Sequence, residues 1–315
     1  MIRVENLSKF YGITVGVRNL NFSVERGEVL GFLGPNGAGK TTTMKILTCY
    51  LPPTAGTARI CGYDILENPM EVRKRIGYLP EKNPLYMDMR VTEYLEFVSH
   101  LKGVPTRRID EEIGRTIGRC GLEEVPHRTI GKLSKGYQQR IGIAQALIGD
   151  PELLILDEPT LGLDPKQIIE IRQLIKNLGT ERTVILSSHI LPEVSQVCTR
   201  IIIINQGELV AVDTPENLRK RLKKASVIHV KLRESTEAHR AGDIVSAVEG
   251  IMMVKEAPSE EGTMHIIIEA APDRDVRNKV AFAIVESGLP LLEIYSEELS
   301  LEDIFLQLVM EEEAH

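Results

Sequence analysis

The segment from Gly34 to Thr41, Gly-Pro-Asn-Gly-Ala-Gly-Lys-Thr, constrains the fold of this chain more than any other feature. It matches the pattern GxxxxGK[ST] in full and follows an apolar run, Val29 to Leu33, that is predicted to be a strand. Glycines let successive backbone N–H groups converge on phosphate oxygens, and a helix beginning near Lys40 adds the positive end of its dipole. The placement between a strand and a helix predicts a phosphate-binding loop in an α/β fold.

The side chains of this loop suit a nucleoside triphosphate with a divalent cation. Lys40 can reach the β- and γ-phosphates, Thr41 offers a hydroxyl to Mg²⁺, and Thr42 is placed to bond the α-phosphate region. The loop therefore predicts ATP and Mg²⁺ as ligands. Its candidate nucleotide-binding residues are Gly34, Pro35, Asn36, Gly37, Ala38, Gly39, Lys40, Thr41 and Thr42.

A second chemical feature is the apolar run Leu153 to Leu156, which is followed directly by Asp157 and Glu158. This arrangement fits the Walker B pattern of P-loop ATPases. Asp157 is predicted to hold Mg²⁺, directly or through water, and Glu158 to act as general base for the water that attacks the γ-phosphate. Many ordinary strands end in acidic residues, so the prediction depends on the P-loop upstream.

The first two thirds of the chain have the pattern of a parallel sheet covered by helices, because short β-rich apolar runs alternate with helical patterns from Ile2 to about Val212. The runs Val29 to Leu33, Leu153 to Leu156 and Val184 to Leu186 are almost wholly apolar, as strands buried on both faces must be. We expect these three runs to be central strands.

The predicted domain organisation has three parts. Residues 1–218 form an ATPase domain, 219–224 a basic linker, and 225–315 a C-terminal domain. Within the first, residues 83–149 are predicted to be a helical subdomain whose first helix begins after an N-cap at Thr92.

The C-terminal part has the predicted order βαββαβ, which is the pattern of an α+β ferredoxin-like domain. An amphipathic helix is predicted after it, at Leu301 to Met310. No residue cluster in this part suggests catalysis. A regulatory or dimerising module is the favoured interpretation, and a small-ligand sensor is the alternative.

Composition and charge exclude several classes of protein. The net charge of −7 and the pI near 5.7 argue against a nucleic-acid partner, which normally requires a basic surface. The first residues lack the apolar region of a signal peptide, and no run of 18 apolar residues occurs, so no direct membrane insertion is expected. We expect a cytoplasmic protein with reduced cysteines that reaches a membrane only through a partner.

The segment from Leu133 to Arg140, LSKGYQQR, resembles the LSGGQ signature of ATP-binding-cassette (ABC) transporter ATPases. The resemblance implies that Ser134 and Gly136 contact the γ-phosphate of a nucleotide bound to a second subunit. The residue types agree with that role, because serine is a natural helix N-cap and glycine permits close backbone approach.

Further motifs of that family follow in the family's order. Tyr11 lies where an aromatic residue stacks on adenine. The segment Pro159 to Asp164 resembles the D-loop, whose aspartate communicates between two nucleotide sites. His189 resembles the switch histidine that bonds the γ-phosphate and orients Glu158 and water. Together these matches imply a P-loop NTPase fold of the ABC type with a helical subdomain.

Three departures from the family pattern occur. Glu81 stands where the Q-loop glutamine is usual, so a carboxylate is implied for the contact to Mg²⁺ and water. Lys135 and Tyr137 alter the signature, and Leu161 alters the D-loop. Similar substitutions occur in a bacterial exporter subfamily that includes drug, polysaccharide and gliding-motility systems, which this chain resembles most.

The resemblance implies a head-to-tail homodimer, because one chain carries one P-loop and one signature. Each site takes residues Lys40, Thr41, Asp157, Glu158 and His189 from one chain and Ser134 and Gly136 from the other. ATP-driven closure would move a separate membrane permease, so the implied function is an ATP-hydrolysing subunit that powers export from the cytoplasmic face of the membrane. Two alternatives are a soluble ATP-driven clamp in DNA repair or translation and a nucleotide-responsive regulator.

Overall fold

The computed structural model describes residues 1–221, 226–234, 240–258, 262–271 and 276–297. Contacts between Cα atoms divide these residues into two compact units, 1–215 and 216–297. The helix predicted at Leu301 to Met310 and residues 222–224 of the predicted linker lie outside the described residues. In the part of the chain that is described, no helix has the length and apolar character needed to cross a membrane.

The first unit alternates strands and helices along the chain. Its strands are β1 (Ile2–Tyr11), β2 (Thr14–Val24), β3 (Val29–Leu33), β4 (Ala55–Ile60), β5 (Tyr63–Asp64), β6 (Ile76–Leu79), β7 (Leu153–Asp157), β8 (Thr183–Ser188), β9 (Arg200–Asn205) and β10 (Glu208–Asp213). Its helices are α1 (Lys40–Leu47), α2 (Pro69–Arg75), α3 (Val91–Leu101), α4 (Ile109–Cys120), α5 (Lys135–Leu147), α6 (Pro165–Gly179) and α7 (Leu191–Ser195).

The main sheet has six strands in the order β10-β9-β3-β8-β7-β6. All neighbouring pairs are parallel except β10 with β9. The three predicted central strands are confirmed, since β3, β8 and β7 lie side by side in the middle and every residue in them is buried. The carboxyl ends of these parallel strands meet at one edge of the sheet, where ligands bind in such folds.

A second, antiparallel sheet has the strand order β2-β1-β4-β5. One hydrophobic core joins its inward residues, such as Leu7 and Leu20, to helix α1 and to the main sheet. Met44, Ile46 and Leu47 of α1 are fully buried in that core. This packing fixes the start of α1, and therefore the loop before it, against the end of β3.

Helices α3, α4 and α5 lie in sequence between β6 and β7. The N-cap predicted at Thr92 is wrong, because α3 already begins at Val91 and Arg90 is its capping residue. The backbone N–H of Arg90 donates to the carboxylate of Glu93 at 2.9 Å, so an acidic side chain closes the first turn. Thr92 lies inside that turn.

The second unit contains α8 (Pro215–Arg221), which crosses the boundary in sequence, β11 (Ser226–Arg233), α9 (Ala241–Ser246), β12 (Ile251–Ala257), β13 (Thr263–Ala270), α10 (Arg277–Glu286) and β14 (Leu291–Glu297). The strand order is β12-β13-β11-β14, and all pairs are antiparallel. Alternate residues of β11 and β13, such as Val230 and Ile266, are fully buried in one core with α9 and α10.

Candidate active site

A cavity of about 530 Å³ lies in the first unit, at the carboxyl ends of the central strands. It brings together ten of the residues predicted for the nucleotide site. These are Tyr11, Asn36, Gly37, Gly39, Lys40, Thr41, Thr42, Glu81, Glu158 and His189. Leu161, named above as a departure from the D-loop pattern, and Thr14, Val15 and Gly16, which the sequence did not single out, complete the lining.

The loop between β3 and α1 depends on glycine at two positions. Gly39 has a φ of 104°, and a Cβ built on it would lie 2.5 Å from the carbonyl oxygen of Gly16. A Cβ on Gly34 would lie 2.4 Å from the carbonyl oxygen of Ile204. Backbone approaches this close exclude any side chain, so the neighbouring strands shape the loop as a cradle of N–H groups.

Lys40 connects the loop to the end of β7. Its ammonium donates to the carbonyl oxygens of Gly34 at 2.8 Å and Pro35 at 3.2 Å, and it lies 3.3 Å from Oε1 of Glu158. The residue is only 6% exposed. A buried cation held between the loop and a carboxylate provides a fixed positive charge for an anionic ligand in the cavity.

Asp157 ends β7 and is fully buried. Its Oδ1 atom accepts a hydrogen bond from the Ser187 hydroxyl at 2.5 Å, whereas its buried Oδ2 atom has no hydrogen-bond partner among the described residues. Burial raises the pKa of this carboxyl group; the hydroxyls of Ser187 and Thr41 lower it, and the charges of Glu158 and Glu81 raise it further.

The oxygen atoms around Asp157 fit a hard cation such as Mg²⁺. An unpartnered carboxylate oxygen on Asp157, the nearby Thr41 hydroxyl and Glu81 on the cavity wall are the donor types that such a cation prefers. The described residues contain no group of three His, Cys, Asp or Glu side chains placed to hold a metal ion together. Mg²⁺ sites in nucleotide-binding proteins need only one or two carboxylates, because phosphate and water supply the remaining ligands.

Glu158 is held by contacts on two sides and by an unusual backbone conformation. It has a φ of 49°, in the left-handed region that glutamate rarely adopts, and it is 6% exposed. Its Oε2 atom lies 3.0 Å from Nδ1 of His189, and its Oε1 atom faces Lys40. The carboxylate is therefore oriented by one group on each side, as a general base for a water molecule requires.

Six predicted nucleotide-binding residues do not line the cavity. Gly34, Pro35 and Ala38 belong to the loop between β3 and α1, whereas Ser134, Gly136 and Asp164 lie at the starts of α5 and α6. Ser134 caps α5, since its hydroxyl oxygen accepts from the Tyr137 N–H, and Asp164 caps α6 by accepting from the Gln167 N–H at 2.9 Å. A Cβ on Gly136 would lie 2.7 Å from the side chain of Gln167. The starts of α5 and α6 are thus adjacent, and they form a group separate from the cavity lining.

Sequence reasoning missed Ser187, which contacts both acidic residues at the end of β7. Its hydroxyl donates to Asp157, and its oxygen accepts the backbone N–H of Glu158 at 2.9 Å. It also missed a buried pair in which the Thr160 hydroxyl donates to Oε2 of Glu193 at 2.5 Å. The only sequence signal for Ser187 was its place two residues before His189.

Comparison with known proteins finds relatives that are ATP-binding proteins of ABC transporters. The chain matches the ABC transporter family over residues 17–161. It is 35% identical over 313 residues to the bacitracin transport ATP-binding protein BcrA of Bacillus licheniformis, covering 98% of this chain and 97% of that protein. It is 33% identical over 310 residues to the uncharacterized ABC transporter ATP-binding protein YxlF of Bacillus subtilis (strain 168), covering 98% and 99%.

Solved structures agree with these relatives. The ATP-binding cassette MJ0796, solved as a dimer in a post-hydrolysis state bound to ADP and Pi, superposes with a TM-score of 0.62 and 26% sequence identity. The match covers 68% of this chain and 98% of that one. Together with the P-loop cavity, the relatives establish that the chain belongs to the ABC transporter family, as an ATP-binding subunit that hydrolyses ATP.

Proposed function

We propose that the cavity binds MgATP and that two copies of the chain close around two nucleotides to drive export by a separate membrane permease. The observation that carries this proposal is the set of contacts that holds Glu158 between Lys40 and His189 beside the P-loop. These contacts place a base, a cation and a phosphate-binding loop in one small space, which hydrolysis of a phosphoanhydride requires.

Each side chain then has a distinct role. Lys40 and the N–H groups of the loop bind the β- and γ-phosphates, and Tyr11 stacks on the adenine. Glu158 accepts a proton from the attacking water, while His189 fixes the direction of that carboxylate. Bound Mg²⁺ would neutralise phosphate charge, and Thr41, Asp157 and Glu81 are the residues that would hold it.

The proposed dimer is head to tail. Ser134, Gly136 and Asp164 lie outside this chain's own cavity, so they are available to complete the site of a second copy. The dimeric form of the related cassette MJ0796 supports this arrangement. A pair of equivalent sites follows from the two-fold symmetry.

Export through a partner is supported by the relatives, since BcrA is named as a bacitracin transport protein. We propose that this chain lies on the cytoplasmic face of the membrane, held there by its permease, and that it binds no nucleic acid. Transport relatives that match nearly the whole chain favour this function over a soluble clamp.

For the C-terminal residues we propose a ferredoxin-like domain with a regulatory or dimerising role. The support is the antiparallel strand order β12-β13-β11-β14 with two helices in one core, within the described residues. We propose domain limits of 1–218 and 225–315, joined by a linker at 219–224.

The dimer is tested with Glu158→Gln, measured by multi-angle light scattering. The variant keeps the shape of the side chain but cannot accept a proton from water, so MgATP should convert it to a stable dimer. Glu158→Gln combined with Lys40→Ala is the matched control, and it should stay monomeric because it loses the cation that binds phosphate. A Glu158→Gln protein that remains monomeric with MgATP would contradict the dimer model.

The partner is tested by mass spectrometry of proteins that co-purify with tagged Glu158→Gln from detergent-solubilised membranes of its own host. A polytopic membrane protein in near-equal amount is expected. Recovery of only soluble partners, ribosomes or DNA would contradict the transporter function.

A further inference from the structure

A single hydroxyl group connects the two acidic residues of the active site. Ser187 lies on β8, directly opposite Asp157 on the neighbouring parallel strand β7. It is fully buried, and it does not line the cavity. Any effect of Ser187 on hydrolysis must therefore pass through the residues that it contacts.

The two hydrogen bonds of Ser187 have a fixed direction. A serine hydroxyl has one proton, and here that proton is donated to Oδ1 of Asp157 at 2.5 Å. The same oxygen accepts the backbone N–H of Glu158 at 2.9 Å. The Ser187 hydroxyl thus donates a hydrogen bond to Asp157 and accepts one from the backbone N–H of Glu158, and it restrains the positions of both residues.

For Asp157, the consequence is a defined carboxylate orientation. Because Ser187 holds Oδ1, rotation of the carboxylate is restricted, and Oδ2 is the oxygen without a hydrogen-bond partner among the described residues. A ligand oxygen that is held in place loses little freedom when a cation binds it.

For Glu158, the consequence concerns the backbone. The residue has a φ of 49°, which a glutamate keeps only when its surroundings hold it there. The bond from its N–H to Ser187 is one such restraint, and it directs the side chain toward Lys40 and His189. Loss of this bond would let the carboxylate move away from the position of the attacking water.

We propose that Ser187 is a positioning residue for ATP hydrolysis, which orients the carboxylate of Asp157 toward the cation and holds Glu158 in its left-handed backbone conformation. The proposal rests on the function proposed above for Asp157 and Glu158. Ser187 itself is not among the residues that line the cavity, so it acts through Asp157 and Glu158. Its hydroxyl affects the rate of hydrolysis far more than the affinity for ATP.

The first experiment compares the variants Ser187→Thr and Ser187→Val. Threonine and valine side chains have nearly the same shape, but only threonine keeps a hydroxyl. Steady-state hydrolysis should show kcat for the valine variant lower than for the threonine variant by about tenfold to a hundredfold, with KM changed less than about threefold. The control is Thr183→Val at the other end of β8, where the hydroxyl oxygen accepts from the Gly27 N–H at 2.9 Å. This control should retain the wild-type kcat.

The second measurement needs no turnover. ATP affinity is measured by equilibrium dialysis for the same variants, once with Mg²⁺ and once with EDTA. The valine variant should lose part of the Mg²⁺-dependent gain in affinity, about twofold to threefold, and keep the wild-type affinity in EDTA, because only the cation contact depends on Asp157.

Three results would overturn the proposal. They are equal kcat for the threonine and valine variants, an equal loss in Thr183→Val, or an unchanged Mg²⁺-dependent gain in affinity. A separate control tests the function on which the proposal rests. If Glu158→Gln hydrolyses ATP at the wild-type rate, the role of Glu158 is wrong, whereas a defect in Ser187→Val with an inactive Glu158→Gln supports both.

Discussion

At the scale of single residues, the active site contains a charge that opposes stability. Asp157 is fully buried, and burial raises the pKa of its carboxyl group above the usual value. The ionised form is therefore less favourable in the folded chain than in the unfolded one. The neighbouring hydroxyls reduce this cost without removing it. The cation that this carboxylate would hold is the partner that compensates for the burial.

We therefore expect Asp157→Asn to stabilise the nucleotide-free protein by about 1 kcal/mol at neutral pH while abolishing hydrolysis. Because the folded pKa is raised, the folded state binds more protons than the unfolded state between the two pKa values, and stability falls as pH rises through that range. Thermal unfolding at several pH values from about 4 to 7 should show the advantage of the variant growing with pH. A constant difference would contradict this explanation.

At the scale of secondary-structure elements, the segment after β7 is connected to the helix after β8. Thr160 lies in the segment that resembles the D-loop, and Glu193 lies in α7, four residues after His189. The hydrogen bond between them is buried, with both residues less than 10% exposed. We infer that a displacement of α7 carries the D-loop segment with it.

Thr160→Val should remove the hydrogen bond that connects the D-loop segment to α7. The substitution keeps the shape of the side chain but leaves the Glu193 carboxylate without the hydroxyl, so we expect a loss of about 2 kcal/mol in the free energy of unfolding. Urea denaturation measures this loss, and Thr160→Ser, which retains a hydroxyl, is the control. Equal stability of the valine and serine variants would show that the bond does not hold the elements together.

At the scale of the whole molecule, the residues proposed for catalysis and the C-terminal sheet belong to different compact units. All cavity-lining residues lie between Tyr11 and His189, within the unit 1–215, and the second unit has its own hydrophobic core. Two separate cores of this kind are the usual basis for independently folding domains. Nucleotide binding should therefore be a property of the first unit alone.

A protein shortened to residues 1–221 should bind ATP with an affinity within about threefold of that of the full chain. Isothermal titration calorimetry measures the affinity, and circular dichroism verifies that the shortened chain is folded. A folded 1–221 protein that fails to bind ATP would show that the second unit is needed for the site. The same pair of proteins, compared by light scattering without nucleotide, tests the proposed dimerising role of residues 225–315.

The sequence predicted those parts of the site that depend on local spacing. Asp157 ends an apolar strand, His189 directly follows one, and Lys40 comes after the loop that follows another, so pattern alone places them at one edge of the sheet. Ser187 was missed because its role depends on the pairing register of β8 with β7, which no single strand encodes.

Two other features could not be predicted from the sequence, because they depend on contacts between segments or on competing local preferences. The pair of Thr160 and Glu193 joins residues 33 positions apart, and the bond forms only once both segments are folded. The capping of α3 by Arg90 and Glu93 competed with a plausible threonine two residues later, and propensity could not decide between them.

The parallel arrangement of β3, β8 and β7 places their amino ends at the edge of the sheet opposite the cavity. The turn at residues 25–27, which enters β3 from that edge, is exposed, and Glu25 is the position there for a substituted side chain, because Gly27 has a φ of 79° that side chains disfavour. A fluorescent probe or affinity handle attached at this turn would report on motions of the catalytic unit from a distance. Optical and single-molecule work on this ATPase can therefore begin at a position that does not line the cavity.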